Sequence, residues 1–284
     1  MKNGIEDSNS RKEELRIIFR KMQISVICGN SGQNADGQVI EGYRQDFIAM
    51  RDQLRKSTDV IAPILRTALV INWRERAMEV RYARFCKLYP KIKTLNELKS
   101  CMPRQVRENT DIDKKLRDEI VAFCKDYLDI NVDKDQPHRN PKYRLLQSLV
   151  HGFLEYQKEG ETEIAAIRRW CESFQDDGNN VRTDFIGSRD RVGIGSIENI
   201  RLNLGYPVVK PDRHVIGVME HCFNAKIPLH QYINFAMLLD PDPRYADHIL
   251  FKYGQQNNIS QNTTAATAVR NSREARPAGV GAAS

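Results

Sequence analysis

The sequence lacks the cysteine and histidine spacings that hold metals. Its six cysteines are scattered along 284 residues without a Cys-x-x-Cys pair, and its six histidines show no ligand spacing either. Cysteines placed in this way are typical of reduced, mostly buried thiols in the cytoplasm, and not of a disulfide scaffold. We therefore expect no metal site and no cofactor.

Long apolar runs are also missing. No stretch approaches the roughly 20 apolar residues that a membrane-spanning helix needs. The N-terminus is charged and polar and does not have the pattern of a secretory signal. We expect a cytoplasmic protein without a membrane partner, associated with the nucleoid if the source is bacterial or archaeal.

What the sequence does contain is charge, with an excess of positive residues. Charged residues make up 29% of the chain, and the formal net charge is +7 at neutral pH. Such a balance is typical of a globular protein, and it mildly favours a polyanionic partner.

Apolar residues recur at helical spacing along most of the chain, and no strand-period segment is long enough to build a sheet. The prediction is an all-α protein, a helical bundle in three parts. Residues 1–57 form an N-terminal helical extension, which is either an appendage or part of the core, and its first ten residues, polar and small, are expected to be disordered. Residues 58–254 form the core, whose last helix is closed by Gly254, and residues 255–284 form a disordered tail. A core helix predicted from Pro141 has Lys142 and Arg144 on its outer side.

A glycine-containing turn lies near position 194. Gly193, Ile194 and Gly195 precede a predicted short helix that runs from Ser196, a candidate N-cap, to Leu204. Free amides at such a helix start, together with the helix dipole, favour a phosphate oxygen. Arg191 beside the turn also suits a phosphate backbone. A plain turn beside a solvated charged face is the alternative.

An aspartate stands where the next helix should begin. Pro211 disfavours helical geometry in the residue before it, so Asp212 has the position and residue type of an N-cap. The helix behind it has one apolar face, formed by Val215, Val218, Met219 and Cys222. By itself, this pattern indicates a helix cap and no more.

The two patterns together resemble the helix-hairpin-helix–Gly/Pro–Asp superfamily of DNA glycosylases. In that family a Leu-Pro-Gly-Val-Gly hairpin precedes a Val-Asp-Thr-His-Val segment. The corresponding pieces here are residues 191–195 (RVGIG) and 210–215 (KPDRHV). The resemblance implies that Asp212 is the catalytic carboxylate, that the amides of Gly193–Ser196 hold a DNA phosphate, and that His214 supports the helix start.

The chain also departs from the family. Bifunctional members carry a lysine nucleophile two residues after the second hairpin glycine, where this chain has Ile197, which cannot form a Schiff base. Some members bind an iron–sulfur cluster through four cysteines beyond the catalytic helix, but no cysteine follows Cys222. The segment between Gly195 and Asp212 is also shorter than in the endonuclease III-like members. The resemblance thus implies a monofunctional enzyme without a cluster.

A second DNA contact is implied near the start of the core. By resemblance, Asn72, Trp73 and Arg74 lie near the wedge that fills the gap left by a flipped base. An inserted side chain of this kind offsets the cost of unstacking. Trp73 as an ordinary core residue is the alternative.

The resemblance therefore implies a monofunctional DNA glycosylase that flips a damaged or modified base of double-stranded DNA and excises it with water, as in base excision repair, and we expect it to act as a monomer. Two alternatives remain open. One is a DNA-binding or base-hypermodification relative that keeps the fold without hydrolysing the bond. The other is an unrelated helical protein with a chance motif.

Overall fold

The structure, a computed structural model, describes residues 3–29, 37–70, 75–107, 109–174, 183–224, 226–228 and 231–259. Within these ranges the chain forms α-helices and one 3₁₀ turn but no strand, which confirms the all-α class. None of the helices in these ranges is long and apolar enough to cross a membrane. The helices are α1 (Asn3–Cys28), α2 (Gly37–Leu54), α3 (Ile61–Leu69), α4 (Glu75–Leu88), α5 (Leu95–Cys101), α6 (Lys114–Asp126), α7 (Pro141–Tyr156), α8 (Glu163–Ser173), α9 (Ile194–Asn203), α10 (Arg213–Phe223), α11 (Tyr232–Leu239) and α12 (Pro243–Gln256).

The first of two compact units combines both ends of the chain, Met1–Met50 and Pro207–Ser284. Its core joins the apolar faces of α1 and α2 to those of α10, α11 and α12, so the two N-terminal helices are part of a core and not an appendage. Tyr245 of α12 lies at the centre, with the rings of Phe19 and Phe47 packed around it. The predicted buried face of α10 is confirmed, since all four of its residues are at most 5% exposed.

The second unit is the continuous segment Arg51–Tyr206 and contains α3 to α9. Here α7 packs against α3, α5 and α8, while α3 also packs against α9. Trp170 of α8 is fully buried beside Phe153, and its indole N–H donates to Asp184. That contact ties the segment before α9 to the core.

Local capping residues set many of the helix starts. Thr94 and Glu97 form a capping box at α5, while Asp113, Asn140 and Thr162 accept amide hydrogen bonds at α6, α7 and α8. Each such cap stabilises its helix by about 1 kcal/mol. These signals are local in sequence, which is why the helix order was predictable.

Two predicted helix ends were wrong. Residues 1–10 were expected to be disordered, but α1 begins at Asn3. Gly254 was expected to close the last helix, but α12 continues to Gln256. A Cβ atom at Gly254 would stand 2.9 Å from the Cβ of His214, so this glycine serves the close crossing of α12 with α10.

The placement of Lys142 and Arg144 on the outside of α7 was also wrong. Both are buried, with 7% and 6% of their surface exposed. The Lys142 ammonium donates to the carbonyl oxygen of Leu69, and the Arg144 guanidinium pairs with Asp190. Helix α7 has neighbours on several sides, so its polar positions are enclosed as well as its apolar ones.

Candidate functional site

The glycine turn leads into the N-terminus of α9, and the helix begins two residues earlier than predicted. Gly193 is the N-cap with an extended backbone (φ −130°, ψ 174°), and the helix begins at Ile194. Ser196, predicted as the N-cap, is instead the third helical residue, and its amide donates to the Gly193 carbonyl. The left-handed residue of the turn is Arg191, with φ 62°.

The first turn of α9 presents a set of unused donors. The amides of Gly193, Ile194 and Gly195 have no acceptor among the residues that the structure describes. A Cβ atom placed on either glycine would meet nothing within 4 Å, so the approach to these amides is open. Three amides at a helix start with open space above them form an arrangement that suits an anion.

Two arginines, Arg189 and Arg191, lie beside this turn, and the contacts of Arg189 are well defined. Arg189 forms a 2.6 Å ion pair with Glu155 and crosses the surface of Gly152, where a Cβ atom would stand 2.8 Å from its Cδ. The Arg189 guanidinium lowers the pKa of the Glu155 carboxyl below its usual range. Arg191, the arginine that the sequence predicted as a phosphate contact, is exposed beside the turn, and that role stays a prediction.

Asp212 is the N-cap of α10, as predicted. Its Oδ1 accepts a 2.9 Å hydrogen bond from the His214 amide, and its backbone is extended. The second carboxylate oxygen, Oδ2, has no hydrogen-bond or ion-pair partner among the described residues. The side chain is only partly buried. One oxygen thus fixes the carboxylate, and the other remains available.

The segment around Asp212 is held on both sides. Before it, the Lys210 amide donates to Asp247 at 2.9 Å. After it, Nδ1 of His214 lies 2.8 Å from the Ile259 carbonyl oxygen, and its ring packs edge-on against Phe251. His214 thus anchors the start of α10 to the end of the described chain, which is the supporting role that the sequence predicted.

The structure says little about the predicted wedge residues and about the position of the family's lysine. Asn72, Trp73 and Arg74 lie outside the described residues. Ile197 is fully buried in α9, so a side chain at this position points into the core. Asp212 belongs to the first compact unit, and the α9 turn belongs to the second.

Sequence reasoning missed two buried cations on α7. Burial, followed by the charge of Arg81, lowers the pKa of Lys142 to about 7. Arg144 lines a pocket beside the residues that lead into the α9 turn. The available signal was a lysine and an arginine at the start of a helix rich in apolar residues, and the same pattern is equally typical of a solvated face.

Within the described ranges, no group of three or more histidine, cysteine or acidic side chains is arranged to hold a metal ion. The six cysteines form no disulfide.

Comparisons of the chain with protein-family models, with curated proteins and with solved structures gave no match.

Proposed function

We propose that this protein is a monofunctional DNA glycosylase, active as a monomer on double-stranded DNA. The observation that carries the proposal is the first turn of α9. The amides of Gly193, Ile194 and Gly195 have no acceptor among the described residues, and the absence of side chains on the two glycines leaves the approach to them open. In the proposal these amides and Arg191 hold a backbone phosphate of the DNA.

Asp212 supplies the chemistry of the proposed reaction. As the bond between base and deoxyribose stretches, positive charge grows on the sugar, and a fixed carboxylate stabilises that charge. Its Oδ1 is held by the His214 amide, while its Oδ2 has no partner within the described chain. Water adds to the sugar carbon and the base leaves with the bonding electrons, so the products are a free base and an abasic site.

The proposal does not include a covalent lyase step. The position of the family's lysine is occupied by Ile197, which is buried in α9. We propose water as the nucleophile, and Asn72, Trp73 and Arg74 as the residues that fill the gap left by the flipped base.

The catalytic part is tested by Asp212→Asn. Asparagine is as good an N-cap as aspartate, so α10 should keep its start while the negative charge is lost. We expect base release from a panel of damaged, deaminated and mismatched duplexes to fall by at least about a hundredfold. The matched control is Asp113→Asn, the same change at the N-cap of α6, which should release base at the wild-type rate.

Retention of the wild-type excision rate by Asp212→Asn would rule out this catalytic assignment. If wild-type protein binds DNA tightly but releases no base from any duplex, the non-hydrolytic binding relative is the better description.

The DNA-binding part is tested by Gly195→Ala. The position is helical and has open space around its Cβ, so alanine should be tolerated and should even favour the helix. The new methyl group would stand where the phosphate is proposed to lie, so DNA affinity should fall about tenfold or more. Gly42→Ala in α2, another helical glycine with open surroundings, should leave DNA affinity unchanged. Equal affinities of both variants would contradict the proposed phosphate contact.

A further inference from the structure

A pocket of about 330 Å³ lies within the second unit, next to the start of α9. One wall is a single face of α7, formed by Arg144, Gln147 and Ser148 at helical spacing. Asp190, three residues before the N-cap of α9, and the loop after α5 with Arg107 complete the lining. The volume lies at the lower end of the range for small-molecule sites.

Arg144 has more donors than the protein uses. Its Nε donates to Asp190 at 2.6 Å, and its Nη2 pairs with the same carboxylate oxygen. Its Nη1 is buried and has no partner among the described residues, and only 6% of the residue surface is exposed. Burying a charged donor without an acceptor is unfavourable, so an acceptor that enters the pocket beside Arg144 would stabilise this arrangement.

The neighbouring side chains on α7 are polar, buried and only partly used. Gln147 donates through Nε2 to the Tyr143 hydroxyl, and its carbonyl oxygen has no partner among the described residues. The Ser148 hydroxyl has none there either. Both residues are at most 6% exposed. The α7 wall therefore offers two donors and one acceptor side by side.

The charges of the lining favour an anion. Arg144 and Arg107 contribute two positive charges, and Asp190 contributes one negative charge. Because Asp190 already occupies two positions of the Arg144 guanidinium, a ligand meets Nη1 as a single donor and not as a bidentate fork. The Arg144 guanidinium, the Ser148 side chain and Arg107 line one volume, and three separate donors of this kind suit an anion with several oxygens, such as a phosphate.

We propose that this pocket binds a phosphate ester. The phosphate oxygens accept from Arg144, Ser148 and Arg107, and the attached sugar lies in the remaining volume with a hydroxyl donating to Gln147. The site is separate from the α9 amides and does not depend on whether the protein cleaves a glycosidic bond. The ester is supplied either by a nucleic-acid backbone or by a free nucleotide.

The test titrates the intact protein with thymidine monophosphate, thymidine, inorganic phosphate and a short DNA duplex, by calorimetry and by the guanidinium NMR signals. Arg144→Gln should weaken binding of the phosphate ester about tenfold or more. Ser148→Ala, which removes only a hydroxyl, should weaken it in the same direction. The matched control is Arg169→Gln, which breaks a comparable arginine–carboxylate pair with Glu161 away from the pocket and should not change binding.

Asp190→Asn should change the affinity for the phosphate ester in the opposite direction. It removes the one negative charge of the lining and keeps a hydrogen-bond acceptor of the same shape, so the phosphate ester should bind more tightly. A purely structural role of the Arg144–Asp190 pair predicts no gain, because breaking the pair would then only loosen the fold.

The outcomes also separate the two sources. Loss of monophosphate binding in Arg144→Gln with unchanged duplex affinity indicates a free nucleotide. Loss of duplex affinity without measurable monophosphate binding indicates the backbone. The proposal is overturned if Arg144→Gln changes the affinity for neither the monophosphate nor the duplex, or if Arg169→Gln lowers it equally. It is also overturned if Asp190→Asn does not raise the affinity for the phosphate ester, or if thymidine binds as tightly as its monophosphate. Excision by the same variants is measured separately, so this proposal can fail while the glycosylase proposal stands.

Discussion

Lys142 shows what enclosure does to a single side chain. Its ammonium lies inside the second unit, donates to the Leu69 carbonyl oxygen, and has a pKa lowered to about 7 by burial and then by Arg81. In the unfolded chain a lysine titrates near pH 10.4. Between about pH 7 and pH 10.4 the unfolded chain therefore binds a proton that the folded chain does not, and this group makes folding more favourable as the pH rises through that range.

This linkage predicts the behaviour of Lys142→Met. Methionine removes the cost of burying the charge, so the variant should be more stable than wild type at pH 7, by an amount on the order of 2–4 kcal/mol. The advantage should shrink as the pH approaches 10, where the variant also lacks a donor for Leu69. Urea unfolding of both proteins at several pH values measures the difference.

The control is Lys115→Met on the exposed surface of α6. Its difference from wild type should show no such trend. A Lys142→Met difference that stays constant over the same pH range would mean that burial does not shift the lysine's titration.

At the scale of the elements, the end of α9 depends on one glycine. Gly205 follows the C-cap Leu204 with φ +76°, and its amide donates to the Leu202 carbonyl oxygen. A Cβ atom here would overlap the Arg51 carbonyl oxygen as well as adopt a strained φ. Two separate constraints therefore act on the same residue.

Gly205→Ala should therefore lower the free energy of unfolding by more than the backbone conformation alone explains. We expect a loss of at least about 2 kcal/mol. Gly160→Ala is the matched control, since Gly160 has φ +74° but nothing within 4 Å of its Cβ. It should cost about 1 kcal/mol, and equal losses in thermal or urea unfolding would remove the close approach from the explanation.

The elements also show which features a sequence reveals. Asp212 and Thr162 were predictable as caps, because a cap depends on a few neighbouring residues. The burial of Arg144 was not, because it depends on Asp190, 46 residues away. Glycines in a turn suggest a positive φ at the glycines themselves. In the turn before α9 the left-handed conformation instead falls on Arg191, and the two glycines leave space open.

At the scale of the whole molecule, the two units differ in how the chain supplies them. Arg51–Tyr206 is continuous, whereas the other unit needs segments from both ends of the sequence. The continuous unit has a core of its own, including the fully buried Leu65, Leu146 and Ile200. It contains the α9 amides and the α7 pocket, and it does not contain Asp212.

This division predicts that a fragment of residues 51–206 separates binding from cleavage. Because its core comes from one continuous segment, the fragment should unfold cooperatively on heating, although the last turn of α2 at its new start should fray.

The fragment should bind duplex DNA through the α9 amides, and Gly195→Ala within the fragment should reduce that binding. It should release no base, because the proposed catalytic carboxylate is absent. Calorimetry, DNA titration and the excision assay test these three expectations in turn. Base release by the fragment would place the chemistry outside Asp212, and a folded fragment that does not bind DNA would remove the α9 turn from the proposed interface.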